Sequence, residues 1–151
     1  MSALSGPGDD RRIRVVVAVS DASVRRSLAD DLEDAGFVVC AVEARAPGAI
    51  EAASFHEPDI VVLGADLAGS AVIATARLAE GAPRTKVMVV AEAPDEDDCL
   101  TYLMVGASGY IGIQTDAASL APAIRGVAAG QAIVPPAAQR RLLEVLRAQL
   151  G

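Results

Sequence analysis

Runs of consecutive β-branched and aliphatic residues constrain this chain more than any other feature. They stand at IRVVVAV (13–19), DIVVL (59–63) and KVMVV (86–90). None alternates apolar with polar residues, as a strand with one wet face would. An uninterrupted run suits a strand covered on both faces, the usual setting of a parallel sheet. Parallel neighbours need long crossovers, and the intervals between these runs read as helices.

After the first run, Ser20-Asp21 offers a helix N-cap, Val24, Leu28 and Leu32 recur at helical spacing, and Gly36 takes the place of a C-cap glycine. A second short apolar run follows at Phe37 to Val42, and Pro47 opens a helix over PGAIEAASF. SAVIATARLAEG is helical to Gly81; Asp95, Glu96, Asp97 and Asp98 start a helix that reaches Met104, where the macrodipole favours acids. A fifth strand is expected over Ser108 to Ile113 and a fifth helix over AASLAPAIRGVAAG, with Pro122 in or near its first turn. PPAAQRRLLEVLRAQLG adds a terminal helix with Leu142, Val145, Leu146 and Leu150 as one apolar stripe.

Five strands alternating with five helices predict an α/β fold, a doubly wound five-stranded parallel sheet with helices on both faces, followed by the C-terminal linker helix. The expected divisions are a disordered tail over 1–12, a domain over 13–130 and a linker or dimerisation helix over 131–151. Ligand chemistry in such sheets gathers at the carboxyl ends of the strands. That directs attention to residues 19–22, 64–69, 91–95 and 112–115.

Composition removes several classes. The net charge of −7 opposes a phosphate backbone, so direct nucleic-acid binding is not expected. No apolar run is long enough to span a membrane and the N-terminus lacks an apolar leader, so a cytoplasmic protein is expected. Cys40 and Cys99 lack the spacing of a disulfide or zinc framework and read as core-filling thiols. His56 has no neighbouring ligand partner and reads as a solvated loop residue. No glycine-rich phosphate loop follows any strand and no nucleophile–base pair is visible, so an enzyme is not expected.

Residues 13–130 resemble the receiver domain of bacterial two-component response regulators, which has a flavodoxin-like (CheY-like) fold, and the NarL-type subgroup in particular. The resemblance is carried by IRVVVAVSDASVRRSL, PDIVVLGADLAG, the GASGY segment in CLTYLMVGASGYI and AIRGVAAGQAIVPPAAQRRLL. It implies phosphotransfer to an aspartate at the end of the third strand, Mg²⁺ held by an acidic pair after the first strand, a hydroxyl ending the fourth and a lysine after the fifth. Those positions hold Gly64 (the acceptor), Val19 and Ser20 (the acidic pair), Ala91 (the hydroxyl) and Ile113 (the lysine). Only the aromatic switch position keeps its type, as Tyr110. The expectation is a pseudo-receiver that has lost Mg²⁺ binding and needs no other cofactor.

Two functions follow. One is a phosphorylation-independent regulatory domain acting as a homodimer or through a protein partner, controlling transcription through a helix-turn-helix domain outside this chain. The lost pocket, lined by Val19, Gly64, Ala91 and Ile113, would then suit an apolar ligand. The alternative is a phosphorelay receiver modified at a displaced carboxylate, Asp66, with Asp21 nearby; a solvated Asp66 and an N-capping Asp21 are the plainer roles. Tyr110 is expected as a fixed interface or core residue more than as a moving switch.

Overall fold

A computed structural model describes residues 12–113 and 117–150, without the side chains of 117–119. The elements run β1 (Arg14–Ala18), α1 (Ala22–Asp34), β2 (Val38–Glu43), α2 (Ala46–His56), β3 (Ile60–Gly64), α3 (Ala71–Gly81), β4 (Lys86–Ala91), α4 (Glu96–Met104), β5 (Gly109–Gly112), α5 (Ala117–Ala128) and α6 (Pro136–Leu150). The expected tail lies outside the described residues except for Arg12, and the loop at 112–115 lies partly outside them.

The five strands form one parallel sheet in the order β2-β1-β3-β4-β5. Burial explains the uninterrupted apolar runs. Val16, Ala18, Val61, Leu63, Val87 and Val89 face one core layer, against α2, α3 and α4. Val15, Val17, Ile60, Val62, Met88 and Val90 face the other, against α1 and α5. Residues 15–18 of β1 and 60–63 of β3 therefore need an apolar side chain whichever way they point, and the doubly wound fold follows.

The sheet's two edges differ. Beside β5, Ile133 donates its N–H to Ser108 and accepts the Tyr110 N–H at 2.9 Å, so the approach to α6 lies along that edge as a one-residue extension. At the other end β2 leaves Val38 and Val42 exposed, and the register slips between Val39 and Ala41, putting Cys40 in a bulge.

Several local readings need correction. Phe37 does not begin β2: its N–H returns to the Leu32 carbonyl and Gly36 sits at φ 99°, so it is the apolar residue that closes the stop of α1. Cys40 is half-buried in the bulge and not a core thiol, whereas Cys99 is fully buried. His56 is the last residue of α2 and half-buried, not in a loop; its backbone carbonyl accepts from the Arg14 guanidinium at 2.6 Å. Pro122 lies inside α5, beyond its first turn, so the bond its nitrogen would have donated to the carbonyl of residue 118 is lost. The terminal stripe is divided: Leu142 and Val145 are half-buried, whereas Leu146 and Leu150 are exposed together with Leu143.

Candidate functional site at the carboxyl ends of the strands

The sheet brings the singled-out positions to one end of the molecule. Val19 directly follows β1, Gly64 closes β3, Ala91 closes β4, and Ile113 directly follows β5. Backbone bonds hold these ends in line: Val19 N–H to the Glu43 carbonyl (3.0 Å), Ala65 N–H to Val90 (2.8 Å) and Ile113 N–H to Ala91 (2.8 Å). The Arg25 guanidinium donates to the Val19 and Ser20 carbonyls at 2.8 and 3.1 Å, which fixes the turn from β1 into α1.

At the acidic-pair position, Val19 is 3% exposed. The Ser20 hydroxyl is already used twice, donating to the Ala44 carbonyl at 3.1 Å and accepting the Ala68 N–H at 2.7 Å. Asp21 caps α1 by accepting the Val24 N–H at 3.0 Å, the plainer of its two expected roles. A Cβ built on Gly64 would lie 3.3 Å from Asp66 Oδ1, 3.5 Å from Val19 Cγ2 and 3.7 Å from the Ala18 carbonyl oxygen. Asp66 itself is exposed, so its carboxylate hangs over the end of β3 from the solvent side.

Mg²⁺ needs several hard oxygens in near-octahedral array. These residues do not fit it: the valine offers carbon, the serine a single neutral hydroxyl already bonded to Ala44 and Ala68, and the glycine has no side chain. Among the described residues, no group of three or more His, Cys, Asp or Glu is placed to hold a metal.

Val19 packs into the α1–α5 layer and Ala91 into the opposite one, each nearly sealed, while a carboxylate oxygen stands beside Gly64. Ile113 instead lines a groove of about 320 Å³ between α1 and α5 with Val24, Leu28 and Leu120. The four positions share an end of the sheet, and each strand end turns its side chain to whichever layer its parity dictates.

Tyr110 is fully buried, and its hydroxyl accepts the Asp95 N–H at 3.1 Å. Asp95 in turn caps α4, accepting the Asp98 N–H at 3.0 Å, and Glu96, Asp97 and Asp98 occupy the first helical turn as the sequence predicts. A second tyrosine was not singled out by sequence. Tyr102 on α4 is also buried, stacks on Tyr110 with ring centroids 6.0 Å apart, and donates its hydroxyl to the Ala65 carbonyl at 3.1 Å. Burial pushes both phenols above their ordinary range, reinforced at Tyr102 by Asp98 and opposed at Tyr110 by the Asp95 backbone bond. Burial likewise raises the Cys99 thiol.

No known protein-family model matches the chain. Among curated proteins it is similar to the transcriptional regulatory protein DegU of Brevibacillus brevis, 31% identical over 125 residues that make up 82% of this chain and 52% of that protein. The oxygen regulatory protein NreC of Staphylococcus carnosus is 27% identical over 132 residues, 82% of this chain and 58% of that one. The chain thus spans a little over half the length of these curated relatives. Among solved structures, a LuxR-family two-component response regulator from Aurantimonas sp. superposes with TM-score 0.81 at 25% identity, covering 89% of this chain and 97% of that one. The signal receiver domain of a NarL response regulator from Mycobacterium tuberculosis gives TM-score 0.77 at 21% identity over 80% of this chain and 99% of that one.

Proposed function

We propose that the folded unit is a receiver-type (CheY-like) domain of the kind found in NarL- and LuxR-type response regulators, and that it signals by conformation and association, without a phosphotransfer chemistry of its own. One observation carries this reading: where a receiver needs carboxylate oxygens at the end of the sheet, this chain has a sealed Val19 and, at Ser20, a single hydroxyl that already bonds the Ala44 carbonyl and the Ala68 N–H. Placing a phosphoryl dianion beside Val19, Ala91 and Ile113, with no lysine at the last of these positions, would leave its charge uncompensated.

In this reading the domain is a cytoplasmic, non-enzymatic regulator of transcription. It acts through a homodimer or a protein partner, and contact with DNA falls to an effector domain of the kind that the relatives' greater length accommodates. Among the described residues no helix is long and apolar enough to cross a membrane. The exposed Leu143, Leu146 and Leu150 give the associating surface its apolar component.

One observation favours a second reading, a receiver modified at Asp66: its Oδ1 lies 3.3 Å from where an acceptor side chain on Gly64 would begin. Intact mass after incubation with acetyl phosphate and Mg²⁺ separates the two, with amide NMR spectra in beryllofluoride alongside. The first reading requires an unmodified mass and no shift of the Gly64–Asp66 amides. A stoichiometric phosphoryl adduct absent from Asp66→Asn would replace it with the second.

A further inference from the structure

Between the first turns of α4 and α6 lies a cavity of about 220 Å³, whose walls include none of Val19, Ser20, Gly64, Ala91 or Ile113. Two helices packed on one another frame it, with Ala138 sealed and Arg141 Nε 3.5 Å from Asp97 Oδ1. It is therefore a preformed part of the fold, the usual condition of a small-molecule site. Its floor is Cys99, Tyr110 and Ala138, each no more than 2% exposed, and half-buried Pro135 and Ala137 form its side. Exposed Asp95 and Glu96 stand at its mouth beside Pro94.

Of the side chains on that floor, one is a strong polar group, and its donor is unused. The Tyr110 hydroxyl accepts the Asp95 N–H at 3.1 Å, but no acceptor for its own proton lies among the described residues. Tyr102, its stacking partner, differs in this respect, because its hydroxyl donates to the Ala65 carbonyl. A phenol both donates and accepts, and a buried donor gains from any acceptor brought to it. Burial keeps the neighbouring Cys99 thiol protonated, so it presents a soft, weakly polar surface of the kind that suits an aromatic ring.

Size and charge narrow what fits. An apolar cavity of about 150 Å³ holds benzene, so this one has room for a single ring with about two further heavy atoms. An anion would meet Asp95 and Glu96 at the mouth of a chain whose net charge is −7. A cation would be stripped of water against proline, alanine and cysteine. We propose that this cavity is a binding site for an uncharged, single-ring apolar molecule with one hydrogen-bond acceptor, which takes the Tyr110 O–H. The occupant touches α4, β5 and α6 at once, so its binding energy braces the three together. The site stands or falls separately from whether Asp66 takes a phosphoryl group.

The test uses the whole chain and three probes followed by amide NMR: acetophenone, ethylbenzene and benzoate. Acetophenone carries the ring and a carbonyl acceptor, ethylbenzene has a methylene in place of that carbonyl, and benzoate a charged carboxylate. Expected with acetophenone are saturable shifts of the Cys99, Tyr110 and Ala138 amides, at a dissociation constant of roughly 1 mM or tighter, as the efficiency of small ligands allows. Benzoate should bind at least about tenfold more weakly. Tyr110→Phe keeps the ring and removes the donor, so it should weaken acetophenone about fivefold relative to ethylbenzene. Ala137→Leu projects bulk into the cavity and should weaken both neutral probes roughly tenfold or more.

Acetophenone shifts that do not saturate, or that centre on the exposed Leu143, Leu146 and Leu150, overturn the site. So does unchanged affinity for both neutral probes in a folded Ala137→Leu. An unchanged ratio of the two neutral probes in Tyr110→Phe overturns the part given to the phenol, and benzoate binding as tightly as acetophenone overturns the choice of an uncharged ligand. If either substitution unfolds the domain, the map of shifts and the benzoate comparison in the unsubstituted chain decide the proposal alone.

Discussion

Replacing Gly106 with alanine tests how the joint between α4 and β5 is built. Gly106 sits at φ 116°, where its N–H accompanies the close of α4 by bonding the Leu103 carbonyl at 3.1 Å, and the Ala107 N–H bonds Tyr102 at 2.9 Å. Two penalties apply to a Cβ there. A side chain at positive φ costs about 1–2 kcal/mol. The new methyl would also overlap the Ala79 Cβ of α3, and overpacking of that kind costs about 1–3 kcal/mol. A loss of about 3 kcal/mol is expected in urea denaturation, or a melting temperature lower by roughly 6–12 °C for a domain of this size. The two causes can be separated by adding Ala79→Gly. Alone it should cost about 0.5–1 kcal/mol, as glycine does inside a helix. In the double variant the overlap is gone while the strained φ remains, so the double should be less destabilised than the sum by about 1–3 kcal/mol. A Gly106→Ala protein within about 0.5 kcal/mol of the original would refute the geometry of the joint. Strict additivity of the two substitutions would refute the overlap with Ala79.

Other expectations follow from single contacts. Ser20→Ala strands the Ala68 N–H and the Ala44 carbonyl, and should lower unfolding free energy by about 1–3 kcal/mol; an unchanged urea midpoint would show that the hydroxyl bridge is not made in solution. Asp21→Ala should cost about 1 kcal/mol through loss of the α1 cap, whereas Asp21→Ser should keep most of it. Stability should also fall at alkaline pH. Cys99, Tyr102 and Tyr110 have pKa values raised by burial above ordinary values of 9.0 and 10.0, so the folded state holds their protons more tightly than the unfolded chain does. That stabilisation is complete below pH 9 and is lost as pH climbs through 10 and beyond; an unfolding midpoint flat to pH 11 would contradict it.

Strand content was legible because burial on both faces leaves an unmistakable mark: β1, β3 and β4 are found where VVV, DIVVL and KVMVV stand. Where one residue serves two elements the reading slipped. Phe37 is as apolar as a strand residue, but its N–H is committed to Leu32, and Arg125 lies over its ring at 5.0 Å. The stripe on α6 was legible as a stripe, yet helical spacing does not say which part of it meets the body. At the site, the identities at 19, 20, 64, 91 and 113 were plain from sequence, but their division between two core layers was not, since that depends on how each strand end turns. Tyr102 gave no signal because an aromatic on the inner face of a helix looks like any core residue. Its partnership with Tyr110 crosses a helix, a turn and a strand, and no local spacing encodes that. Asp66, two residues past Gly64, did stand out, and the loop brings its carboxylate to the end of β3.

The unequal borders of the sheet set a limit on how copies of this domain can stack. A sheet grows by adding backbone to an open border, and repeated growth needs one open border on each side. Among the described residues Ile133 occupies the β5 side, so further accretion is left to β2, where the kink at Cys40 already spoils a straight match. Two molecules joined border to border through β2 would leave only blocked ends, so that route terminates at a pair. Opening the Ile133 contact would remove the terminator, turning a self-limiting encounter into one that can propagate.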